Sequence, residues 1–267
     1  MYKAVVSDLD GTLLNGNHAI DEFTKETVSE VINRGIKFYI ATGRSYSGAK
    51  DIMDKLGLKI PLITSNGARI LDEEGKEIYV NNLEKKYSDS ILDIDYKKNG
   101  KSIVLNVYSG NDWYVTEDRR EFYMKINPKR TFFPEVTTLE ELKTKEFTKI
   151  FFLGEHDELL ELEKEIENIT KGEVNIAFVL EHCLEIFSKE SDKANAAKFL
   201  LEKDGLTLKD SVAFGDGCND YNLLKEAGKG YVMGNALYRL KEALPENETV
   251  ETNADNGVAK KLVELFL

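Results

Sequence analysis

The strongest constraint on the fold is an alternation of short apolar runs with segments of helical periodicity at the start of the chain. Three runs are rich in β-branched and aromatic residues, as buried strands are: Ala4–Ser7, Lys37–Ala41 and Leu62–Thr64. Between them, apolar side chains recur at helical spacing, as they do from Ile20 to Ile32. Strand, helix, strand, helix, strand is typical of a parallel sheet with crossover helices.

This alternation of strand and helix patterns stops after residue 67 and resumes near residue 193. A hairpin is predicted over 68–80, and the block that follows mixes strands with one strongly periodic helix, which favours antiparallel α+β. We therefore predict an α/β fold, with a doubly wound, Rossmann-like parallel-sheet core interrupted by an inserted α+β domain. The core comprises residues 1–82 and 186–267, and the insert comprises residues 83–185.

Charge and composition narrow the partners and the location. The chain of 267 residues has a formal net charge of −12, which repels nucleic-acid phosphates and anionic lipid surfaces. It has no apolar run long enough to cross a bilayer and no leader-like N-terminus. Its two cysteines, Cys183 and Cys218, lack metal-ligand spacing, which fits free thiols in a reducing compartment. We expect a cytoplasmic protein without a nucleic-acid or membrane partner, and the sequence contains no signal for an oligomeric state.

Polar side chains follow four of the predicted strands, where the ligand sites of open parallel sheets form. Each of them alone would be ordinary turn chemistry, since Asp, Asn and Gly are common turn residues. Together they would meet at one sheet edge, and converging carboxylates repel one another unless a cation lies between them. The residues are Asp8 and Asp10, Thr42 and Arg44, Asn66, and Asp216 with Asn219 and Asp220.

The ligand chemistry of this edge indicates magnesium and phosphate. Carboxylate and amide oxygens as ligands favour Mg²⁺ over zinc, and Mg²⁺ favours phosphate chemistry because it neutralises charge on phosphoryl oxygens. Asp8 and Asp10 can divide the work of a covalent nucleophile and a general acid/base. Gly11 and Thr12 allow backbone N–H groups to turn towards a phosphate. The sequence therefore predicts a magnesium-dependent phosphohydrolase in which one of these two carboxylates is the nucleophile.

A dinucleotide site is the competing interpretation of Gly215–Gly217, which follows a strand and precedes a helix. The third glycine position of that fingerprint is occupied by Asp220. Carboxylates at positions 216 and 220 would repel a pyrophosphate, so metal binding suits these residues better.

Six segments match the motifs of a known family in the right order. They are Asp8–Leu14, Ala41–Arg44, Ser65–Ala68, Lys193, Gly215–Asp220 and Met233–Ala236. Together they resemble the haloacid dehalogenase-like phosphatases, specifically the Cof-type branch of sugar and small-metabolite phosphatases. Two departures from the family concern Lys193. Ala194 follows it where the family usually has glycine, and the segment that precedes it, Lys189–Asp192, is more acidic than is typical. Lys189 is a rival for the same role, with a poorer register before the helix.

The resemblance implies a role for each matching residue. Asp8 would form an aspartyl-phosphate, and Asp10 would be the general acid/base. The ligands of Mg²⁺ would be Asp8, Asp10 through its backbone carbonyl or side chain, Asp216 and Asp220. The transferring phosphoryl group would be bound by Leu9, Thr42, Gly43, Lys193 and Asn219, and Arg44 and Asn66 would face the substrate or a cap. For Arg44, a structural salt bridge is the open alternative.

The resemblance also implies that the insert 83–185 is a cap of the larger α/β type, which closes over the site and contacts the leaving group. Our leading hypothesis is a phosphatase for a small phosphorylated metabolite, with a sugar phosphate as the expected class. A phosphomutase would share the aspartyl-phosphate and return it to a sugar. A phospho-receiver domain or a retired binding protein is the non-enzymatic alternative, and the length of the chain and its complete set of motif residues disfavour both.

Overall fold

A computed structural model describes residues 2–126 and 132–267. The chain divides into two compact units, one made of the part up to Val80 together with Ser191–Leu267, and one made of Asn81–Glu190. The sequence-based bounds lie at 82/83 and at 185/186, and the second of these falls inside a strand, Cys183–Ser188. That the second unit is a cap stays a prediction. Within the described residues, every helix is too short or too polar to span a lipid bilayer.

Strands and helices are numbered in chain order. The strands are β1 (Ala4–Asp8), β2 (Lys37–Ala41), β3 (Leu62–Thr64), β4 (Arg69–Leu71), β5 (Glu77–Val80), β6 (Val104–Ser109), β7 (Asp112–Val115), β8 (Glu135–Val136), β9 (Lys149–Leu153), β10 (Val174–Leu180), β11 (Cys183–Ser188), β12 (Ser211–Gly215), β13 (Lys229–Val232) and β14 (Glu248–Thr249). The helices are α1 (Glu22–Asn33), α2 (Tyr46–Leu56), α3 (Lys85–Leu92), α4 (Arg120–Ile126), α5 (Leu139–Leu142), α6 (His156–Thr170), α7 (Lys193–Lys203), α8 (Tyr221–Glu226), α9 (Tyr238–Ala243) and α10 (Gly257–Phe266).

The first unit is built on one sheet, with the strand order β14-β13-β12-β1-β2-β3-β4-β5. The strands from β14 to β3 run parallel, and β4 and β5 add an antiparallel hairpin. β1 lies inside the sheet and all of its residues are buried, as expected for a parallel strand covered on both faces. Apolar side chains from these strands and the surrounding helices form a continuous core. This packing fixes the positions of the carboxyl ends of the parallel strands.

Local signals determine where the first crossover helices begin and end. The side chain of Asp21 accepts a hydrogen bond from the backbone N–H of Thr24 at 2.8 Å, which caps the start of α1. Gly57 ends α2 in a left-handed conformation with φ +69°, which favours glycine. The start of α1 and the end of α2 are therefore set by residues next to them in the chain.

The second unit has its own sheet, with the strand order β10-β11-β9-β6-β7-β8. Neighbouring strands pair antiparallel except β7 and β8. Side chains of α3 and α6 pack with one face of the sheet in a second hydrophobic core. The sequence pattern does not predict the hairpin of β10 and β11, because its two-residue turn, residues 181–182, has none of the usual turn residues. The predicted fold class, a parallel-sheet α/β core with an inserted α+β unit, is confirmed.

Candidate active site

Four neighbouring strands of the first unit carry polar residues to one edge of the sheet. β12, β1, β2 and β3 are adjacent and parallel, so their carboxyl ends lie at the same side. Asp8 is the last residue of β1, and Thr42 directly follows β2. Asn66 lies two residues after β3, and Asp216 directly follows β12. The structure therefore places these four residues at the same end of the sheet.

Lys193 lies between two carboxylates in the interior. Its Nζ donates to Asp8 Oδ1 at 2.6 Å and to Asp220 Oδ1 at 2.6 Å. The lysine side chain is 1% exposed. Burial disfavours the ammonium group, but the carboxylates of Asp220 and Asp8 outweigh this effect and raise the pKa of Lys193. The lysine is therefore a fixed positive charge at hydrogen-bond distance from the predicted nucleophile.

Three carboxylates form an acidic cluster around this lysine. One oxygen each of Asp8, Asp216 and Asp220 lies within 4.8 Å of the other two. Burial raises the pKa of Asp8 well above its ordinary value, with Lys193 opposing the shift and Asp220 adding to it. Burial also raises the pKa of Asp216, against a hydrogen bond from Thr12. A single ammonium group leaves negative charge uncompensated when all three carboxyl groups are ionised.

The acidic cluster fits a magnesium ion by its donor atoms. The atoms that could bind a metal are carboxylate oxygens, and no His or Cys of the described residues belongs to the cluster. Mg²⁺ prefers such hard oxygen ligands, and a divalent cation would offset the charge that Lys193 leaves. The cluster is therefore a candidate metal site.

The turn after β1 brings Thr12 and Gly11 against Asp216. Thr12 Oγ1 donates to Asp216 Oδ1 at 2.8 Å. Gly11 has φ +73°, and a Cβ atom at this position would lie 2.3 Å from Asp216 Oδ2. Glycine alone satisfies both the left-handed backbone and the close approach. The hydroxyl contact of Thr12 is not predicted by the sequence pattern, which indicates a role only for its backbone N–H.

Asp220 is bonded on both of its carboxylate oxygens. Oδ2 accepts hydrogen bonds from the backbone N–H groups of Asp216 at 3.0 Å and Gly217 at 2.9 Å, while Oδ1 accepts from Lys193. A Cβ atom on Gly215 would lie 2.5 Å from Asp220 Cβ, so a glycine is required where β12 ends. Asp220 thus holds both the lysine and the loop that carries Asp216.

The carboxylate of Asp10 lies outside the acidic cluster and pairs with Arg44. Arg44 Nε donates to Asp10 Oδ2 at 2.6 Å and Nη2 donates to Oδ1 at 2.5 Å, which is a bidentate ion pair. Arg44 Nη1 donates to the backbone carbonyl of Gly48 at 3.0 Å, and His18 Nδ1 lies 3.7 Å from Asp10 Oδ1. Of the two alternatives for Arg44, the structure shows the salt bridge, and its partner is the predicted acid/base.

Asn66 links the loops that follow β2, β3 and β12. Asn219 Nδ2 donates to Asn66 Oδ1 at 2.9 Å, and the backbone N–H of Asn66 donates to Thr42 O at 3.0 Å. A Cβ atom on Gly43 would lie 3.0 Å from Asn66 Oδ1, so that loop passes close to the amide. Residues 65–67 all have positive φ, between 50° and 96°, a strained backbone of the kind that clusters at functional sites. Asn66 is therefore buried and bonded within the protein.

Of the two candidate lysines, Lys193 is the one that bonds to Asp8. Lys189 belongs to the second unit, is half exposed and lies 3.4 Å from a glutamate of that unit. Asp192 caps the helix that begins at Lys193, because its Oδ1 accepts from the backbone N–H of Ala194 at 2.7 Å. The segment before Lys193 is more acidic than the family pattern, and one of its acidic residues, Asp192, serves as this helix cap.

The fold and the site define an α/β enzyme with a buried acidic centre at the carboxyl ends of its parallel strands. A family model described as haloacid dehalogenase-like hydrolase matches residues 5–262. The chain belongs to this family, in its Cof-type phosphatase branch, and the resemblance seen in the sequence is confirmed.

The similarity to known proteins extends over both units of the chain. A protein of Buchnera aphidicola subsp. Baizongia pistaciae, provisionally named a phosphatase, is 37% identical over 270 residues, covering 100% of this chain and 99% of its own. The HMP-PP phosphatase of Yersinia pseudotuberculosis is 32% identical, covering 98% of this chain and 94% of its own. The crystal structure of a haloacid dehalogenase-like hydrolase from Bacteroides thetaiotaomicron has a TM-score of 0.84 at 26% identity, with 100% of both chains covered.

Proposed function

We propose that this protein is a magnesium-dependent phosphatase that hydrolyses a small phosphorylated metabolite through an aspartyl-phosphate on Asp8. The observation that carries the proposal is the buried Asp8 carboxylate, with Lys193 Nζ at 2.6 Å and the carboxylates of Asp216 and Asp220 beside it. Membership of the family makes the chain a phosphoric monoester hydrolase. Both named relatives are phosphatases by name, which supports the same chemistry.

In the first step Asp8 is the nucleophile. One of its oxygens forms a bond to phosphorus while the bond from phosphorus to the leaving oxygen breaks, and Asp10 gives that oxygen a proton. In the second step Asp10 takes a proton from water, and the water oxygen attacks phosphorus and releases phosphate from Asp8. Lys193 favours the ionised form of Asp8 against the effect of burial, and this is the form that attacks.

Donors from several loops meet the charge that develops on the equatorial phosphoryl oxygens. We assign this role to the backbone N–H groups of Leu9 and Gly43, Thr42 Oγ1, Lys193 Nζ and the Asn219 amide. The side chain of Leu9 is apolar and packs in the hydrophobic core, so its backbone N–H is the group that we assign to the phosphate. Asn66 Oδ1 accepts from Asn219 Nδ2 and thereby orients that amide, so we give Asn66 a positioning role in place of contact with the substrate.

Arg44 positions the acid/base in this mechanism. Its Nε and Nη2 hold the carboxylate of Asp10, and Nη1 is anchored on the carbonyl of Gly48. Because all three nitrogens are engaged, we propose that Arg44 sets the direction of Asp10 while its carboxyl group is ionised, and that one of the two hydrogen bonds to Asp10 opens when Asp10 carries the proton that it donates.

When bound, Mg²⁺ neutralises charge on the phosphoryl oxygens. We propose Asp8 and Asp216 as its side-chain ligands, and the backbone carbonyl of Asp10 as a third, since the Asp10 carboxylate is held by Arg44. Asp220 contributes by holding Lys193 and the loop of Asp216, because both of its oxygens already accept hydrogen bonds.

The test is phosphate release from a generic aryl phosphate, with and without Mg²⁺. We expect release that requires Mg²⁺, that is abolished by EDTA and that is lost in Asp8→Asn. Asp51→Asn, which changes an exposed aspartate on α2, is the matched control and is expected to keep full activity. Metal-independent release, or undiminished release from Asp8→Asn, would refute the proposal.

The substrate needs a panel in which sugar phosphates and HMP-PP, the compound in the name of the Yersinia relative, are compared with the aryl phosphate. A phosphatase is expected to release inorganic phosphate in equal amount to the product that has lost the phosphoryl group. Transfer of the phosphoryl group to a sugar without release would instead identify a phosphomutase. A cytoplasmic location stays a prediction.

A further inference from the structure

The nucleophile loop, defined as residues 9–14, is held by two asparagines from the C-terminal part of the first unit. Asn235 Nδ2 donates to Gly11 O at 2.8 Å, and Asn253 Nδ2 donates to Leu14 O at 2.7 Å. The asparagines are also bonded to each other, because the backbone N–H of Asn253 donates to Asn235 Oδ1 at 2.9 Å. A connected pair of carboxamides therefore holds the nucleophile loop at two points.

The nucleophile loop depends on such support because its own backbone is irregular. Its base is closed by the hydrogen bond from Leu14 N to Leu9 O at 2.9 Å, but Asp10 departs from helical geometry with ψ 127° and Gly11 with φ +73°. The carbonyl of Gly11 shares a planar trans peptide with the N–H of Thr12, so the two groups point in opposite directions. By holding the carbonyl, Asn235 determines where that N–H points.

The segment that carries Asn235 is also tied to the loop of Asp216. The backbone N–H of Met233 donates to Gly215 O at 3.0 Å, and that of Leu237 donates to Asp216 O at 3.0 Å. Asn235 lies between these two bonds. The segment therefore connects the nucleophile loop with the loop that carries the proposed metal ligand, and a displacement of it changes the distance between them.

We propose that Asn235 and Asn253 are positioning residues, which set the geometry of the nucleophile loop against Asp216. This inference rests on the proposed function. Asn235 is exposed, so its amide is not needed to fill the core. Its task requires a carboxamide, because Nδ2 donates to a carbonyl while Oδ1 accepts an N–H. Aspartate has the same shape, but it would turn an acceptor towards Gly11 O and add negative charge near the acidic cluster.

The test compares Asn235→Ala, Asn235→Asp, Asn253→Ala and the double alanine variant with the wild type. The matched control is Asn247→Ala, since Asn247 Nδ2 also donates to backbone carbonyls, those of Leu224 at 3.3 Å and Gly230 at 2.9 Å. The measurements are kcat and KM for the aryl phosphate, the Mg²⁺ concentration for half activation, and the melting temperature. Asn235→Asp is nearly isosteric, so it keeps the test possible if an alanine variant folds poorly.

A loss of loop geometry should appear in kcat, because a small misplacement of a reacting group costs up to about 100-fold in rate. We expect kcat to fall about 10-fold or more in Asn235→Ala and further in Asn235→Asp, with a smaller change in KM. The double variant should be little worse than Asn235→Ala, because the two amides act as one unit. Asn247→Ala should lower the melting temperature and keep the wild-type kcat.

The inference is overturned if Asn235→Ala and Asn235→Asp keep the wild-type kcat. It is also overturned if Asn247→Ala loses as much kcat as they do at an equal loss of melting temperature, since the effect would then be general destabilisation. An inactive wild-type protein would contradict the phosphatase function itself, and with it this inference.

Discussion

Replacing Lys193 with methionine removes a positive charge from the interior and keeps most of the apolar chain. Asp8 and Asp220 each lose a donor at 2.6 Å, and both stay buried. Removing one partner of a buried ion pair costs about 3–5 kcal/mol, because the remaining charge is left unpaired. We expect a loss of about 3 kcal/mol in the free energy of unfolding, the lower end, since protonation of a carboxyl group relieves part of the repulsion.

For a chain of this size that loss lowers the melting temperature by about 6–12 °C, at roughly 2–4 °C per kcal/mol. The size of the loss should depend on pH, because burial raises the pKa of Asp8 in the folded state above its unfolded value of about 3.9. A group with a raised folded-state pKa contributes stability that is present at low pH and is lost as the pH rises through that pKa. Without Lys193 the pKa of Asp8 rises further. In metal-free buffer, the difference between wild type and variant should therefore grow as the pH rises from 5 to 8.

The activity of Lys193→Met should fall more than its stability suggests, because in the proposed mechanism the phosphoryl oxygens lose a fixed charge. Removal of one such donor costs about 10²–10³-fold in kcat. The assays are aryl phosphate hydrolysis and thermal unfolding at several pH values. Lys189→Met is the control, since Lys189 is half exposed. A kcat within tenfold of the wild type, or a larger loss in Lys189→Met, would refute the reasoning.

Three further predictions concern the same site and the two thiols. Gly11→Ala should lower kcat about 100-fold or more and should also lower the melting temperature, because its Cβ would lie 2.3 Å from Asp216 Oδ2 and alanine is strained at φ +73°. A fully active variant would contradict this close approach. Mg²⁺ at 100 times its Kd should stabilise the wild type by about 2.7 kcal/mol and should raise its melting temperature accordingly. The rise should be smaller in Asp216→Asn, and equal rises in the two proteins would speak against this metal site. Burial raises the pKa of the Cys183 thiol to about 12, whereas Cys218 is exposed. At pH 8 a chromogenic disulfide should therefore react with one thiol in the native protein and with two in guanidinium. Two thiols reacting at one native rate would disprove that difference.

The core strands could be predicted from the sequence because each is covered on both faces. Lys37–Ala41 and Leu62–Thr64 form strands where the apolar runs indicate, and the order of elements follows from their alternation. The hairpin after Val174 could not be predicted in this way, since the residues of its turn are not turn formers. The sequence therefore predicts an element where an apolar run marks a buried strand or where turn-forming residues mark a turn.

The family, the fold class and the acidic character of the site were determined by the sequence alone, because motif spacing and strand ends are local properties. The pairing of side chains was decided only by the tertiary structure. It placed Lys193 between Asp8 and Asp220, paired Arg44 with Asp10, and joined Asn235 to the nucleophile loop from more than 220 positions away in the chain. The physical reason is that these contacts depend on the order of parallel strands in the sheet, and a hydrogen bond requires a distance of about 3 Å that periodicity along the chain does not encode.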